Sequence, residues 1–167
     1  MAALNIQKPP AVGISILLYC CWQASDLIGA WRFSALDRFG WLVFLIWCTP
    51  FVLYFKRQSE NGKETGINAM LLGFGLFFSV LGQLGSLNVL QHIGLALAIA
   101  GLMPFRMKSS RMWIFWLCAS ISWMPLLGWI GSRIFIEYVF SFRFLLSTFA
   151  SSIFFIPYFV RRVGNNE

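Results

Sequence analysis

The feature of this sequence that most constrains its fold is a stretch of 41 residues, 65–105, that contains no Lys, Arg, Asp or Glu. A helix needs about 20 apolar residues to cross the hydrocarbon core of a bilayer, so this stretch is long enough for two crossings. Its middle, GQLGSLN at 82–88, holds two glycines, Ser86 and Asn88, which favour a turn. The stretch therefore predicts two transmembrane helices joined by a short turn.

Four further uncharged runs have the length of a transmembrane helix, which gives six spans in all. The chain of 167 residues is 59% hydrophobic and 11% charged, so it has too few polar residues to cover a water-soluble surface. We predict an all-α fold, a polytopic transmembrane helical bundle that forms a single integral membrane domain over residues 1–167. Its spans are expected at 9–27, 39–55, 67–84, 89–105, 112–131 and 144–160, with an interfacial helix at 133–143.

Six spans divide the cations unequally between the two sides of the membrane. Nine Lys and Arg residues fall on the side of the two termini, whereas Arg32, Arg38, Arg133 and Arg143 fall on the other side. Because cytoplasmic loops carry the excess of Lys and Arg, both termini are predicted to be cytoplasmic in a multi-pass inner-membrane protein. The net charge of +7 is distributed in short clusters between apolar runs, so a nucleic-acid partner is not expected.

The segment after the fifth span has two interpretations. Arg133 and Glu137 are four residues apart and would pair on one helical face, which predicts a short helix lying in the outer interface. Alternatively, the segment continues into one long tilted helix in which Glu137 and Arg143 face the interior of the bundle. The sequence leaves both open.

Polar residues that are costly near lipid concentrate at the predicted outer end of the bundle, where they form either a ligand site or interfacial ion pairs. His92 follows Asn88, a predicted N-cap, so we expect a neutral histidine in the first turns of the fourth span. No Cys, Asp or Glu lies at ligand spacing from it, so neither a metal nor a cofactor is expected. The cluster comprises Asp26, Arg32, Asp37, Arg38, Asn88, Gln91, His92, Arg133, Glu137 and Arg143.

Three stretches resemble the N-terminal membrane half of the exosortase/archaeosortase family, polytopic enzymes that sort proteins carrying a C-terminal membrane-anchor signal. They are DRFGWLVFLIWCTPFVLYFKR at 37–57, LGQLGSLNVLQHIGLALAIAGL at 81–102 and WLCASISWMPLLGWIGSRI at 116–134. The resemblance implies a helical membrane core. Family members carry a catalytic cysteine in a C-S-G-x-R-like motif, and this sequence has no such motif, so no catalytic role is assigned through the resemblance.

Three functional hypotheses follow. The first is a non-catalytic partner, assembly or substrate-recognition subunit in envelope protein sorting or export, which binds lipid and a membrane-protein partner or a second copy of itself. The second is a cysteine transpeptidase or peptidase with an atypical site, for which Cys118, Arg133 and Arg143 are the candidates; it predicts a bend at Pro125 that brings Cys118 to an arginine. The third is a small transporter or channel, which should show paired broken helices around a polar site.

Small residues in the fourth span also have two interpretations. They allow another helix to approach closely, either within the same chain or across a dimer seam. These residues are Gly94, Ala96, Ala98, Ala100 and Gly101.

Overall fold

A computed structural model describes the backbone of residues 10–61, 68–103 and 110–163, and the side chains of residues 11–52, 68–103 and 113–153. The described backbone is all-α, with helices, short 3-10 segments and turns and no β-strand. The helices are α1 (Pro10–Gln23), α2 (Asp26–Phe33), α3 (Gly40–Asn61), α4 (Ala69–Gly85), α5 (Asn88–Leu102), α6 (Ser110–Ala119), α7 (Pro125–Ile134) and α8 (Val139–Val163). Both termini, 1–9 and 164–167, lie outside the described residues, as do the side chains of the nine predicted cytoplasmic cations.

The turn predicted within the long uncharged stretch is present. Ser86 adopts a left-handed conformation with φ 52° at the end of α4, and the Leu87 amide donates to the Gly82 carbonyl at 2.8 Å. Leu87, not Asn88, occupies the N-cap of α5, so the predicted capping role of Asn88 is wrong; Asn88 is the first helical residue. The side chain that caps a helix here is Asn68, which accepts from the Leu71 amide at the start of α4.

The helices α4 and α5 form a closely packed hairpin because glycines face each other across it. A Cβ added at Gly75 would lie 2.9 Å from the Gly94 carbonyl oxygen, and one added at Gly101 would lie 2.8 Å from the Leu72 amide nitrogen. The five small residues predicted to form a close-approach face are all buried. They therefore pack within the chain, as the first of the two interpretations predicted.

Helices α3 and α8 are joined by hydroxyl groups that donate to main-chain carbonyls. Pro50 has no amide hydrogen, so the Ile46 carbonyl one turn earlier loses its helical partner. It accepts instead from Thr49 Oγ1 on the same helix and from Ser151 Oγ on α8, the latter at 2.7 Å. One turn before Ser151 on α8, Ser147 Oγ donates to the Val43 carbonyl at 3.0 Å. These two hydroxyl-to-backbone bonds therefore connect α3 to α8 at two successive turns.

Two buried tryptophans connect α3 to α6. Trp47 and Trp116 stack with ring centroids 3.8 Å apart, and each indole N–H donates to the carbonyl of the other residue, at 3.0 and 3.3 Å. The rings thus satisfy each other's polar groups while they fill the centre of the core.

Two predicted spans are broken. The first bends by 46° between residues 11–23 and α2, and the fifth bends by 73° between residues 113–122, which end in a 3-10 turn, and α7. Within the described residues no single helix is both long and apolar enough to cross a bilayer by itself; these two bent pairs reach that length when their halves are taken together.

The predicted interfacial helix at 133–143 is not present as one helix. Helix α7 ends at Ile134, Phe135 leaves the helical conformation with ψ 55°, and α8 begins at Val139 after a 3-10 turn. The alternative of one long helix is also wrong, because the helix is interrupted at 135–138. It is right that Arg143 is buried and wrong that Glu137 faces the interior, because Glu137 is exposed.

The polarity of the described surface is inverted relative to a water-soluble protein. Large apolar side chains face outward, including Trp22 at 79% and Leu84 at 80% exposure, whereas Arg143 and His92 are 0% and 2% exposed. Soluble monomers rarely expose continuous apolar surface or bury charged groups. The described part of this bundle therefore combines an apolar surface with a largely hydrophobic interior that also buries a few polar and charged side chains.

Candidate functional site

The most deeply buried charge belongs to Arg143 in the first turns of α8. Its Nη2 donates to Asp37 Oδ1, and its Nη1 donates to the Ser122 carbonyl at 2.9 Å. The other Asp37 oxygen accepts from Ser34 Oγ at 2.7 Å. Asp37 lies in the turn before α3, where Phe39 adopts a left-handed φ of 66°, so this turn points the carboxylate inward. Pairing and hydrogen bonding offset the cost of burying the two charges, while Arg143 Nε has no hydrogen-bond partner among the described residues.

This ion pair lies across the break in the fifth predicted span. The guanidinium contacts the Ser122 carbonyl, at the C-terminal end of the first half, which carries partial negative charge. The Asp37 carboxylate lies against Gly128 in the first turn of α7, where the helix carries partial positive charge. Arg143 and Asp37 therefore complement the electrostatics of both half-helices at once, and the bend predicted at Pro125 is stabilised by charge.

Gly128 is required by this contact. A Cβ at position 128 would lie 2.5 Å from Asp37 Oδ1 and 2.8 Å from Arg143 Nη2. We expect Gly128→Ala to separate the pair and to lower the free energy of unfolding by about 1–3 kcal/mol, measured by chemical denaturation in detergent micelles. Gly29→Ala is the matched control, because nothing lies within 4 Å of a Cβ there. Equal stability of the two variants would contradict the contact.

A second carboxylate, hydrogen-bonded to a histidine, occupies the break in the first predicted span. Asp26, the first residue of α2, accepts from Nε2 of His92 on α5, with distances of 3.0 and 3.1 Å to its two oxygens. Asp26 is 34% exposed in its side chain, whereas His92 is nearly fully buried. Because a carboxylate accepts, Nε2 donates to Asp26, and Nδ1 is buried without a hydrogen-bond partner among the described residues. The histidine is thus anchored by a carboxylate that reaches the surface.

We expect Asp26→Ala to lower the free energy of unfolding by about 1–3 kcal/mol, because the buried His92 ring loses its partner. Adding His92→Leu should restore part of the loss, since it removes the unpaired polar group. The measurement is the same denaturation experiment, with Arg32→Ala on the exposed side of α2 as the control. If the double variant is less stable than Asp26→Ala, the proposed pairing is not what stabilises this region.

A further polar group joins α1 to α4 through Gln83, one of the polar residues expected at the outer end of the bundle, and two α1 residues that the sequence analysis did not include. Tyr19 OH and Gln23 Nε2, one turn apart on α1, both donate to Gln83 Oε1 on α4, at 2.9 and 3.0 Å. Deeper in the core, Ser79 Oγ donates to Cys20 Sγ at 3.2 Å. The spacing of Tyr19 and Gln23 on one face of α1 was the available signal for the first group.

The structure divides the predicted polar cluster into residues that are paired or partly buried and residues that are exposed. Asp26 with His92 and Asp37 with Arg143 form the two pairs, and Gln91 is half-buried beside Gly82. The predicted Arg133–Glu137 pair is absent from the described salt bridges, because the helix ends between the two residues. The remaining members are exposed: Arg32, Arg38, Asn88, Arg133 and Glu137.

The candidates for cysteine chemistry do not meet. Cys118 is exposed, and within the described part of the chain no arginine forms a hydrogen bond with it. Arg143 donates instead to Asp37 and Ser122, and Arg133 lies over the ring of Trp129 at 5.8 Å. The bend predicted at Pro125 is present. The arginine at this bend is Arg143, and it donates to the Ser122 carbonyl.

Metal binding has no matching arrangement in the described residues, where no three His, Cys, Asp or Glu side chains lie close enough to share an ion. No family model, curated protein or solved structure matches the chain. The resemblance to exosortases therefore stays a prediction from three apolar stretches.

Proposed function

We propose that the chain is an integral membrane protein of the inner membrane with six crossings, two of them broken, and that it acts as a non-catalytic assembly or substrate-recognition subunit in envelope protein sorting or export. The observation that carries the membrane assignment is the inverted polarity: exposed Trp22 and Leu84 need an apolar solvent, and buried Arg143 and His92 need the pairing that they have.

The non-catalytic role is supported by the hydrogen bonds of the buried polar groups. Arg143 donates to Asp37 and a carbonyl, His92 donates to Asp26, and Cys118 is exposed with no hydrogen bond to either pair among the described contacts. An enzyme site would bring a nucleophile, a base and an oxyanion donor together. The pairs described here instead hold two broken spans in a fixed shape.

Membrane insertion is tested with cysteine variants, because Cys118 is exposed and its exposed face would be covered by lipid. In a chain whose only cysteine is Cys118, a charged, water-soluble maleimide should label the protein only after the membrane is dissolved and the chain denatured. The control is a chain whose only cysteine is introduced by Arg133→Cys, at an exposed position of the predicted outer end of the bundle, and it should be labelled in intact membranes. Rapid labelling of Cys118 in the intact membrane would refute the assignment.

The assembly role is tested by solubilising the membrane with a mild detergent and identifying the membrane proteins that co-purify with the chain. A stoichiometric membrane-protein partner is the expected result. A monodisperse monomer without any partner would contradict this role while leaving the membrane assignment intact.

A small transporter is the second candidate, and one observation favours it. Each of the two broken spans has a carboxylate hydrogen-bonded to a buried basic side chain at its break, Asp26 to His92 and Asp37 to Arg143. Discontinuous helices with charged groups at their ends are the usual construction of substrate and ion sites in transporters. Uptake of charged solutes into proteoliposomes, abolished by Asp26→Asn with the protein still folded, would favour this candidate over the first.

A further inference from the structure

Three arginines at one end of the bundle have exposed side chains and no acidic partner among the side chains that the structure describes. They are Arg32 in the last turn of α2, Arg38 in the turn before α3 and Arg133 in the last turn of α7. Within the described residues the only salt bridges are those of Asp26 and Asp37, so none of the three is paired with a carboxylate. We call these three residues the arginine rim.

Each arginine of the rim lies beside an exposed aromatic ring. The guanidinium carbons of Arg32, Arg38 and Arg133 are 5.3, 5.4 and 5.8 Å from the ring centroids of Phe33, Phe39 and Trp129. These three rings are all exposed. The same local arrangement, a cation over an outward-facing ring, thus occurs three times.

The rim belongs to one end of the bundle. Ser34, two residues after Arg32, donates to Asp37, and Asp37 contacts Gly128 on the helix that ends beside Arg133. The Phe39 ring contacts Phe140 at the start of α8, with centroids 5.7 Å apart. Exposed apolar residues continue around this end, including Ile134 at 73% exposure.

The charge of this end needs an explanation. It is the end predicted to be extracytoplasmic, where Lys and Arg are disfavoured. Arg143, the fourth cation predicted there, is neutralised inside the bundle by Asp37. The rim cations are not neutralised in that way, and the nearby Glu137 is exposed and outside the described salt bridges.

We propose that the arginine rim binds the phosphate groups of anionic phospholipids in the outer leaflet. A planar guanidinium donates two parallel hydrogen bonds to a phosphate, and the neighbouring ring is placed to enter the boundary between headgroups and acyl chains. An acidic protein segment would require only positive charge on the surface that binds it. The exposed ring beside every arginine therefore favours a lipid interface over an acidic protein segment as the partner. The inference rests on the proposed membrane insertion.

The test uses the full chain in phosphatidylcholine vesicles that contain a minor fraction of phosphatidylglycerol with a photoreactive headgroup. Crosslinked peptides are identified by mass spectrometry. In the wild type we expect crosslinks within residues 31–39 and 129–138 and few crosslinks there with a phosphatidylcholine probe. Each guanidinium near an anionic surface is worth about fivefold in affinity, so Arg32→Gln/Arg38→Gln/Arg133→Gln should lose most of this labelling.

Two further variants keep the test decisive. Arg32→Lys/Arg38→Lys/Arg133→Lys retains the charge but not the paired donors, so its labelling should fall between the other two. Lys56→Gln/Arg57→Gln/Lys63→Gln removes the same charge from the predicted cytoplasmic connection and should leave labelling at 31–39 and 129–138 unchanged.

Equal labelling in the glutamine variant and the wild type, or equal labelling by the two lipid probes, would overturn the inference. So would loss of a co-purifying acidic protein from the glutamine variant with its lipid labelling intact. Carbonate extraction separates this failure from failure of the proposed function: a chain that stays in the membrane but shows no lipid selectivity loses only the lipid inference, whereas a chain that is extracted loses both.

Discussion

Replacing Arg143 by Met is expected to abolish most of the folded protein recovered from membranes. The substitution removes the cation but leaves the Asp37 carboxylate buried among apolar groups, with Ser34 as its remaining hydrogen-bond donor. Breaking a buried pair by removing one partner typically costs about 3–5 kcal/mol. That loss is comparable to a large share of the stability of a small domain. The measurement is the monodisperse fraction in size-exclusion chromatography, together with the thermal midpoint in detergent.

The matched control is Arg133→Met, which makes the same change at an exposed position and should alter stability by no more than about 0.5 kcal/mol. The double variant Asp37→Leu/Arg143→Met removes both charges and should recover much of the lost stability, because an uncharged replacement of a buried pair is often nearly neutral. If the double variant is as unstable as Arg143→Met, Arg143 stabilises the bundle through the Ser122 carbonyl more than through Asp37.

The helices could be predicted from the sequence because hydrophobicity and turn residues act locally. Residues 65–105 have no charge, and the glycines and Ser86 in their middle allow the chain to reverse, so the α4–α5 hairpin follows from the sequence alone. The close packing of this hairpin follows as well, since Gly94 and Gly101 have no side chain to separate the backbones.

The break in the fifth predicted span could be anticipated only in part. Pro125 indicates a kink, and a kink was expected there. The 73° angle depends on partners from elsewhere in the chain, because the freed end of the helix is stabilised by Arg143, 21 residues beyond Ser122. The residues around Pro125 do not indicate which distant side chain will contact the end of the helix.

The two carboxylate pairs illustrate the same limit. Asp37 and Arg143 are 106 positions apart, and Asp26 and His92 are 66 positions apart. The sequence placed all four at one end of the bundle, because charged residues flank the spans. Which carboxylate would meet which cation depends on the order in which the helices pack, so pairing by sequence spacing chose Arg133 with Glu137, which the end of α7 separates.

Gly94→Ala is expected to have the second large effect, because it pushes apart the best-packed pair of helices. A Cβ at position 94 would lie 2.7 Å from the Gly75 carbonyl oxygen and 2.9 Å from the Ser79 amide nitrogen. Backbone atoms cannot rotate away as a side chain can, so α4 and α5 must separate. We expect a loss of about 2–3 kcal/mol, at the upper end of the range for overpacked cores, measured as the decrease in the free energy of unfolding in micelles.

Gly73→Ala tests the same hairpin from its other face. Nothing lies within 4 Å of a Cβ at position 73, so the added methyl costs no packing and instead raises the helix propensity of α4, by up to about 1 kcal/mol. The two substitutions are chemically identical, lie on partner helices and should change stability in opposite directions. Destabilisation by both would mean that position 73 is already covered by another chain or by ordered lipid. Destabilisation by neither would mean that α4 and α5 are not held at the distance that Gly94 permits.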